Sequence, residues 1–66
     1  MFMKDYREVL RTKREKLGFS QYMLAKKAGI SQSFVNEIES GRKKPSIDMF
    51  FKLCEVLEIR VFPDEE

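Results

Sequence analysis

Three glycines and three of the serines cut this chain into helical lengths. Gly18 precedes Ser20, Gly29 precedes Ser31, and Gly41 is followed by the Pro45-Ser46 pair. Glycine ends a helix readily because it takes the left-handed conformation without a steric penalty. Serine opens one by accepting a hydrogen bond from a backbone N–H that the helix leaves unpaired. The punctuation predicts helices over 4–17, 21–28, 32–40 and 47–57. Between the last two, Arg42-Lys43-Lys44-Pro45 reads as a loop, because a residue before proline is pushed out of the helical region.

Apolar spacing supports the same division and supplies one core. Tyr6, Val9/Leu10 and Leu17 recur at helical spacing in the first segment, and Leu24, Ala25 and Ala28 share a face of the second. Val35 and Ile38 mark the inner side of the third. Ile47, Phe50, Leu53, Cys54 and Leu57 form the expected inward stripe of the fourth. At 66 residues the chain holds one small domain, which buries only roughly 60% of its unfolded surface.

Composition removes several classes of function. A single cysteine, Cys54, permits no internal disulfide, and with no histidine there is no Cys/His set for zinc. No metal or cofactor is expected. No apolar run approaches the ~18 residues of a membrane span, and MFMKDYREV lacks the apolar stretch of a signal peptide, so a cytoplasmic chain is expected. No nucleophile–base arrangement, glycine-rich phosphate loop or small-molecule pocket is evident, so the reading is not an enzyme. Cys54, on the inward stripe, reads as a core residue.

Charge is unevenly placed. Residues 1–44 carry eleven Lys/Arg against five acids, a net +6, whereas residues 45–66 carry two against six, a net −4. A basic two-thirds with an acidic remainder suits a polyanion on one face and a different partner on another.

The stretch from Ser20 to Ser46 concentrates the functional signal. Two short helices meet at a tight turn around Gly29, with Ala25 small where the second must cross closely. Ile30, Val35 and Ile38 fix the second helix on Leu24 of the first. This is the helix-turn-helix pattern, whose second helix enters the DNA major groove. With about 100° per residue and Val35 and Ile38 facing inward, Ser33, Asn36, Glu37 and Ser40 face outward, flanked by Gln32 and Phe34. Gln32, Ser33, Asn36 and Glu37 are the predicted base readers. Either Gln32 or Asn36 suits the N6/N7 edge of adenine, and Glu37 suits cytosine N4 while repelling phosphate. Phe34 either covers the helix edge or touches a thymine methyl. Gln21 and Ser31 at helix starts, with Arg42, Lys43 and Lys44 in the loop, are the predicted phosphate contacts.

The run SQYMLAKKAGISQSFVNEIESGRKKPS resembles the Cro/phage-repressor (XRE) type of helix-turn-helix domain over about residues 7–59. The resemblance implies an all-α, lambda-repressor-like bundle of four or five helices that binds operator DNA as a homodimer. It supports Gln21 as a phosphate contact and implies that Arg14 and Glu39 form a structural salt bridge between the first and third helices. Phe34 stands where the family commonly has a small polar residue.

The tail adds a second resemblance. Ile59-Arg60-Val61 alternates apolar and charged side chains before Phe62-Pro63, and reads either as a short strand or as an extended tail packed on the core. MFFKLCEVLEIRVFPDEE is similar to the HipB-type antitoxins, which implies an intersubunit strand pairing with Phe50 and Phe51 beneath Ile59, Val61 and Phe62. Relatives often carry Gly where Glu58 stands, and a direct passage from helix to strand would dispense with it. Residues 1–58 are therefore expected to be the DNA-binding domain and 59–66 a dimerisation element. The leading expectation is a repressor that acts on its own operator. An antitoxin with a toxin protein partner, or a restriction–modification or prophage controller, is the alternative. Removal of residues 59–66 is expected to convert a dimer to a monomer in light scattering, and an unchanged dimer would overturn the strand reading.

Overall fold

Four polar side chains close the open N-termini of four helices in the computed structural model, which describes residues 5–60. Asp5 caps α1 (Tyr6–Lys16), Ser20 caps α2 (Gln21–Ala28), Ser31 caps α3 (Gln32–Ser40) and Ser46 caps α4 (Ile47–Val56). The three serine Oγ atoms accept from the backbone N–H groups of Met23, Phe34 and Met49 at 3.0–3.1 Å. Each such cap stabilises its helix by about 1 kcal/mol. The fold is an all-α bundle, with no strand among the described residues.

The bounds of α2 and α3 coincide with the sequence expectation, and the outer two helices are shorter than expected. α1 begins at Tyr6 because Asp5 is its cap, and it stops at Lys16. α4 stops at Val56, leaving Leu57 as a fully buried cap residue.

All four helices end in the same way. Just past each helix a backbone N–H turns back to donate to a carbonyl five residues earlier: Phe19 to Arg14, Ile30 to Ala25, Arg42 to Glu37 and Ile59 to Cys54, at 2.8–3.0 Å. The residue before each donor has positive φ, which is glycine in the first three cases. In the fourth it is Glu58, at φ 60°. The expectation that a passage into a strand dispenses with the glycine is therefore corrected. The left-handed turn is present, and Glu58 adopts it at a steric cost.

The core gathers Leu10, Leu24, Ala25, Ala28, Val35, Ile38, Leu53, Cys54 and Leu57, with Tyr6, Phe34, Phe50 and Ile59 half-buried around it. α3 packs on α1 and α2, and α4 closes against α2. Phe34 thus covers the helix edge. Ile47 departs from its expected inward place and is 65% exposed, since the first turn of α4 precedes the part of the helix that meets the core. Burial pushes the Cys54 thiol upward in pKa, which suits an inert core residue.

Ile59 rests against the core beside Tyr6, Val9, Phe50 and Cys54. Phe50 meets Tyr6 edge-on at 5.9 Å between ring centroids, and Phe51 is 40% exposed. Val61 and Phe62, half of the expected strand, lie outside the described residues. Among the described residues no helix is long and apolar enough to cross a membrane.

Two substitutions separate the steric cost of positive φ from packing. Glu58→Gly removes a penalty of about 1–2 kcal/mol and restores roughly half of it through a more disordered unfolded chain. A net gain of about 0.5–1 kcal/mol is expected, which raises Tm by roughly 4 °C. Gly29→Ala is expected to cost about 1 kcal/mol although no atom lies within 4 Å of the added Cβ. Thermal unfolding followed by circular dichroism reads both shifts.

Candidate nucleic-acid interface

The interface begins with an ion pair beneath it. Arg14 on α1 and Glu39 on α3 are both withdrawn from water, with side chains 10% and 5% exposed. Arg14 Nε donates to Glu39 Oε2 at 2.7 Å and Nη2 donates to Oε1 at 3.1 Å. The remaining branch, Nη1, donates to the Phe19 carbonyl in the α1–α2 turn at 2.8 Å. A buried pair survives desolvation only when its donors and acceptors are placed this completely. Among the described residues, no buried side-chain polar atom lacks a hydrogen-bond partner.

From Glu39 a chain of polar side chains climbs to the surface. Gln21 Nε2, in the first turn of α2, donates to Glu39 Oε1 at 3.1 Å. Asn36 Nδ2 donates to Gln21 Oε1 at 3.5 Å. Arg42 Nη2, from the loop after α3, donates to Asn36 Oδ1 at 2.6 Å. Arg42 Nε also donates to Ser40 Oγ at 3.1 Å, so the guanidinium lies along the outer side of α3.

This brings most of the sequence-predicted residues together. Gln21, Gln32, Ser33, Asn36, Glu37 and Arg42 line one shallow hollow of about 330 Å³. Gln32 and Ser33 stand exposed in the first turn of α3, where N–H groups lack helical partners. Ser31 is exposed beside them, its Oγ engaged in capping. Lys43 Nζ pairs with Glu37 Oε1 at 3.5 Å, which offsets the acid's repulsion of a polyanion. Lys44 is set apart, against a separate apolar hollow with Tyr6, Pro45, Ile47 and Phe50.

Sequence reasoning missed Ser40 as a support for Arg42, and missed the link from Arg42 to Asn36. The spacing of Asn36 and Ser40, one helical turn apart, was available. The return of Arg42 over them depends on the left-handed turn at Gly41, which reads in sequence only as a stop.

Two helices joined by a tight left-handed turn, with the polar face of the second turned outward over a braced base, define a helix-turn-helix protein. Residues 10–62 match the helix-turn-helix family, and the chain belongs to it. The chain is also similar to a protein of Archaeoglobus fulgidus named an uncharacterized HTH-type transcriptional regulator. The two are 34% identical over 62 residues, covering 86% of this chain and 89% of that protein. No solved structure matches the chain.

The ion pair has a measurable signature. Arg14→Met leaves the Glu39 carboxylate buried without its cation, a loss of about 3–5 kcal/mol. In a domain this small that removes most of the folded population, and urea unfolding checks it. A loss below about 1 kcal/mol would show that water reaches the pair.

Proposed function

We propose that the chain is a sequence-specific, double-stranded-DNA-binding transcriptional regulator, acting as a homodimeric repressor of its own promoter on a short inverted repeat. One observation carries this reading: the outward side chains of α3, Gln21 of α2 and Arg42 converge on one polar hollow held by a buried brace. Membership of the helix-turn-helix family and the name of the archaeal relative support it. The chemistry is that of a base reader, since amide and hydroxyl groups match donor and acceptor patterns at base edges.

The roles divide by position. Gln32 and Ser33 lie at the end of α3 that enters a groove first, and with Asn36 and Glu37 they read base edges. Ser31, Gln21, Arg42, Lys43 and Lys44 attend to the phosphates on either side, a sequence-blind contribution that sets affinity and salt dependence. One such module covers too little DNA for tight specific binding. Two copies related by a two-fold axis cover half-sites roughly 10 base pairs apart. Residues 1–58 would supply the reading domain and residues 59–66 the contact between copies. The antitoxin alternative rests on the tail, whose residues 61–66 lie outside the described part, and no observation on residues 5–60 favours it.

Fluorescence anisotropy on the DNA upstream of the chain's own coding region tests the reading, with a scrambled duplex as control and both titrated across salt. Tight, salt-sensitive binding that prefers the native fragment is expected. Gln32→Ala is expected to erode the preference by about 1–3 kcal/mol. Lys43→Ala is expected to weaken both duplexes alike and lower the salt slope by about 1. Equal, weak binding to both duplexes by the unaltered protein would overturn the autorepressor reading.

A further inference from the structure

The polar chain through the hollow has opposite charges at its two ends, and those charges decide which way each amide points. At the inner end Glu39 is a carboxylate, which only accepts. It is pinned by Arg14, so Gln21 must turn its Nε2 toward it and its Oε1 away. At the outer end Arg42 is a guanidinium, which only donates, so Asn36 must offer it Oδ1. The two amides between can satisfy both ends in one orientation only. Asn36 Nδ2 then faces Gln21 Oε1, as observed.

We propose that Arg42 is a positioning residue for sequence reading: it fixes which way the Asn36 amide faces, so that Asn36 presents its free N–H and its free oxygen lone pair to DNA on fixed sides. This rests on the DNA-reading function above and assigns a division of labour within it. A bidentate adenine contact needs the amide oxygen and nitrogen of one side chain side by side on the base edge. In Asn36 the oxygen is held by Arg42 at 2.6 Å and the nitrogen leans on Gln21 at 3.5 Å. One N–H and one oxygen lone pair are left over, and with their sides fixed they match a base edge in one sense only, a reversed donor–acceptor pattern being refused.

Arg42 suits this work better than a loop cation that serves phosphate alone. Its Nε on Ser40 and its Nη2 on Asn36 lay the guanidinium across one turn of α3. In the free protein these exposed bonds are individually weak. Once DNA covers the hollow and water leaves, the same bonds strengthen, and turning the amide over would leave Arg42 and Gln21 mispaired in a dry interface.

The test selects bound duplexes from a randomised pool with the full-length protein and four variants: Arg42→Lys, Arg42→Gln, Asn36→Ala and Arg42→Gln with Asn36→Ala. Lysine keeps a donor-only head, and the base-preference profile is expected to survive. Glutamine can present oxygen or nitrogen, so Asn36 becomes free to turn. Its profile is expected to relax roughly tenfold at the same base position that Asn36→Ala relaxes. The double variant is expected to relax no further. Overall affinity falls with the lost charge in both glutamine variants, and this is read separately from the profile. A second readout needs no DNA: the Asn36 side-chain amide resonances are expected to move in Arg42→Gln and to move much less in Arg42→Lys.

If Arg42→Gln lowers affinity with an unchanged profile, Arg42 serves phosphate alone and the proposal is overturned. Unmoved Asn36 resonances overturn it equally, whatever the DNA result. If the unaltered protein enriches no duplex, the DNA-reading function itself falls, and the positioning role falls with it even where the resonances move.

Discussion

The buried pair of Arg14 and Glu39 sets the geometry on which everything at the surface depends. It joins α1 to α3 at one point, and through the Phe19 carbonyl and Gln21 it also takes in the α1–α2 turn and the start of α2. Apolar packing alone would hold the same helices together with comparable stability, since burying two charges is costly even when they are paired. Directional bonds do what packing does less well. A fork of planar donors meeting a carboxylate fixes rotation as well as distance, and a sliding or twisting α3 would break several bonds together.

That fixed rotation matters because α3 shows only one turn or two of usable surface. Val35 and Ile38 are buried on its inner side, and Asn36 and Ser40 are exposed on the other. Leu24 and Ala25 of α2 press close to it across the Gly29 turn, whose left-handed φ of 74° sets the angle between the two helices. Side chains that must match base edges within a fraction of an ångström are better carried on such a rigid helix than on a mobile loop. The phosphate role proposed for the loop cations is less demanding, because phosphate attraction tolerates imprecise placement.

What the sequence made legible follows from how local each feature is. The starts of α2, α3 and α4 came from serine caps, and the ends of α2 and α3 from glycines in the left-handed region. Those signals involve neighbours a few residues apart. The buried stripe came from helical periodicity and failed at Ile47, where the helix extends past the core. The turn at Glu58 is not legible, because positive φ without glycine leaves no mark in the residue itself. Neither the Arg42–Asn36 bond nor the support from Ser40 could be read there, because they depend on a side chain folding back after a turn. The reach from Gln21 to Glu39 depends on two helices crossing. Individual residues of the hollow were legible by phase arithmetic, whereas their bonds to one another were not.

The chain of bonds from Arg14 to Arg42 joins a stabilising contact to the surface proposed to read DNA. Each amide in it has two ends and two orientations, and an isolated amide on a helix surface would sample both. Fixing the ends with opposite charges removes that freedom at little cost, because one end is already held for the sake of the fold. Lys43 and Glu37 illustrate the complementary case. Their 3.5 Å pairing between partly exposed groups is weak, and DNA phosphate can compete for the lysine without disturbing the core. The weak Lys43–Glu37 contact lies at the rim, and the amides whose orientation is proposed to matter are wired to the buried pair. On the proposed reading, affinity and selectivity separate in this domain, the first resting on Lys43 and the second on the amides anchored at Glu39.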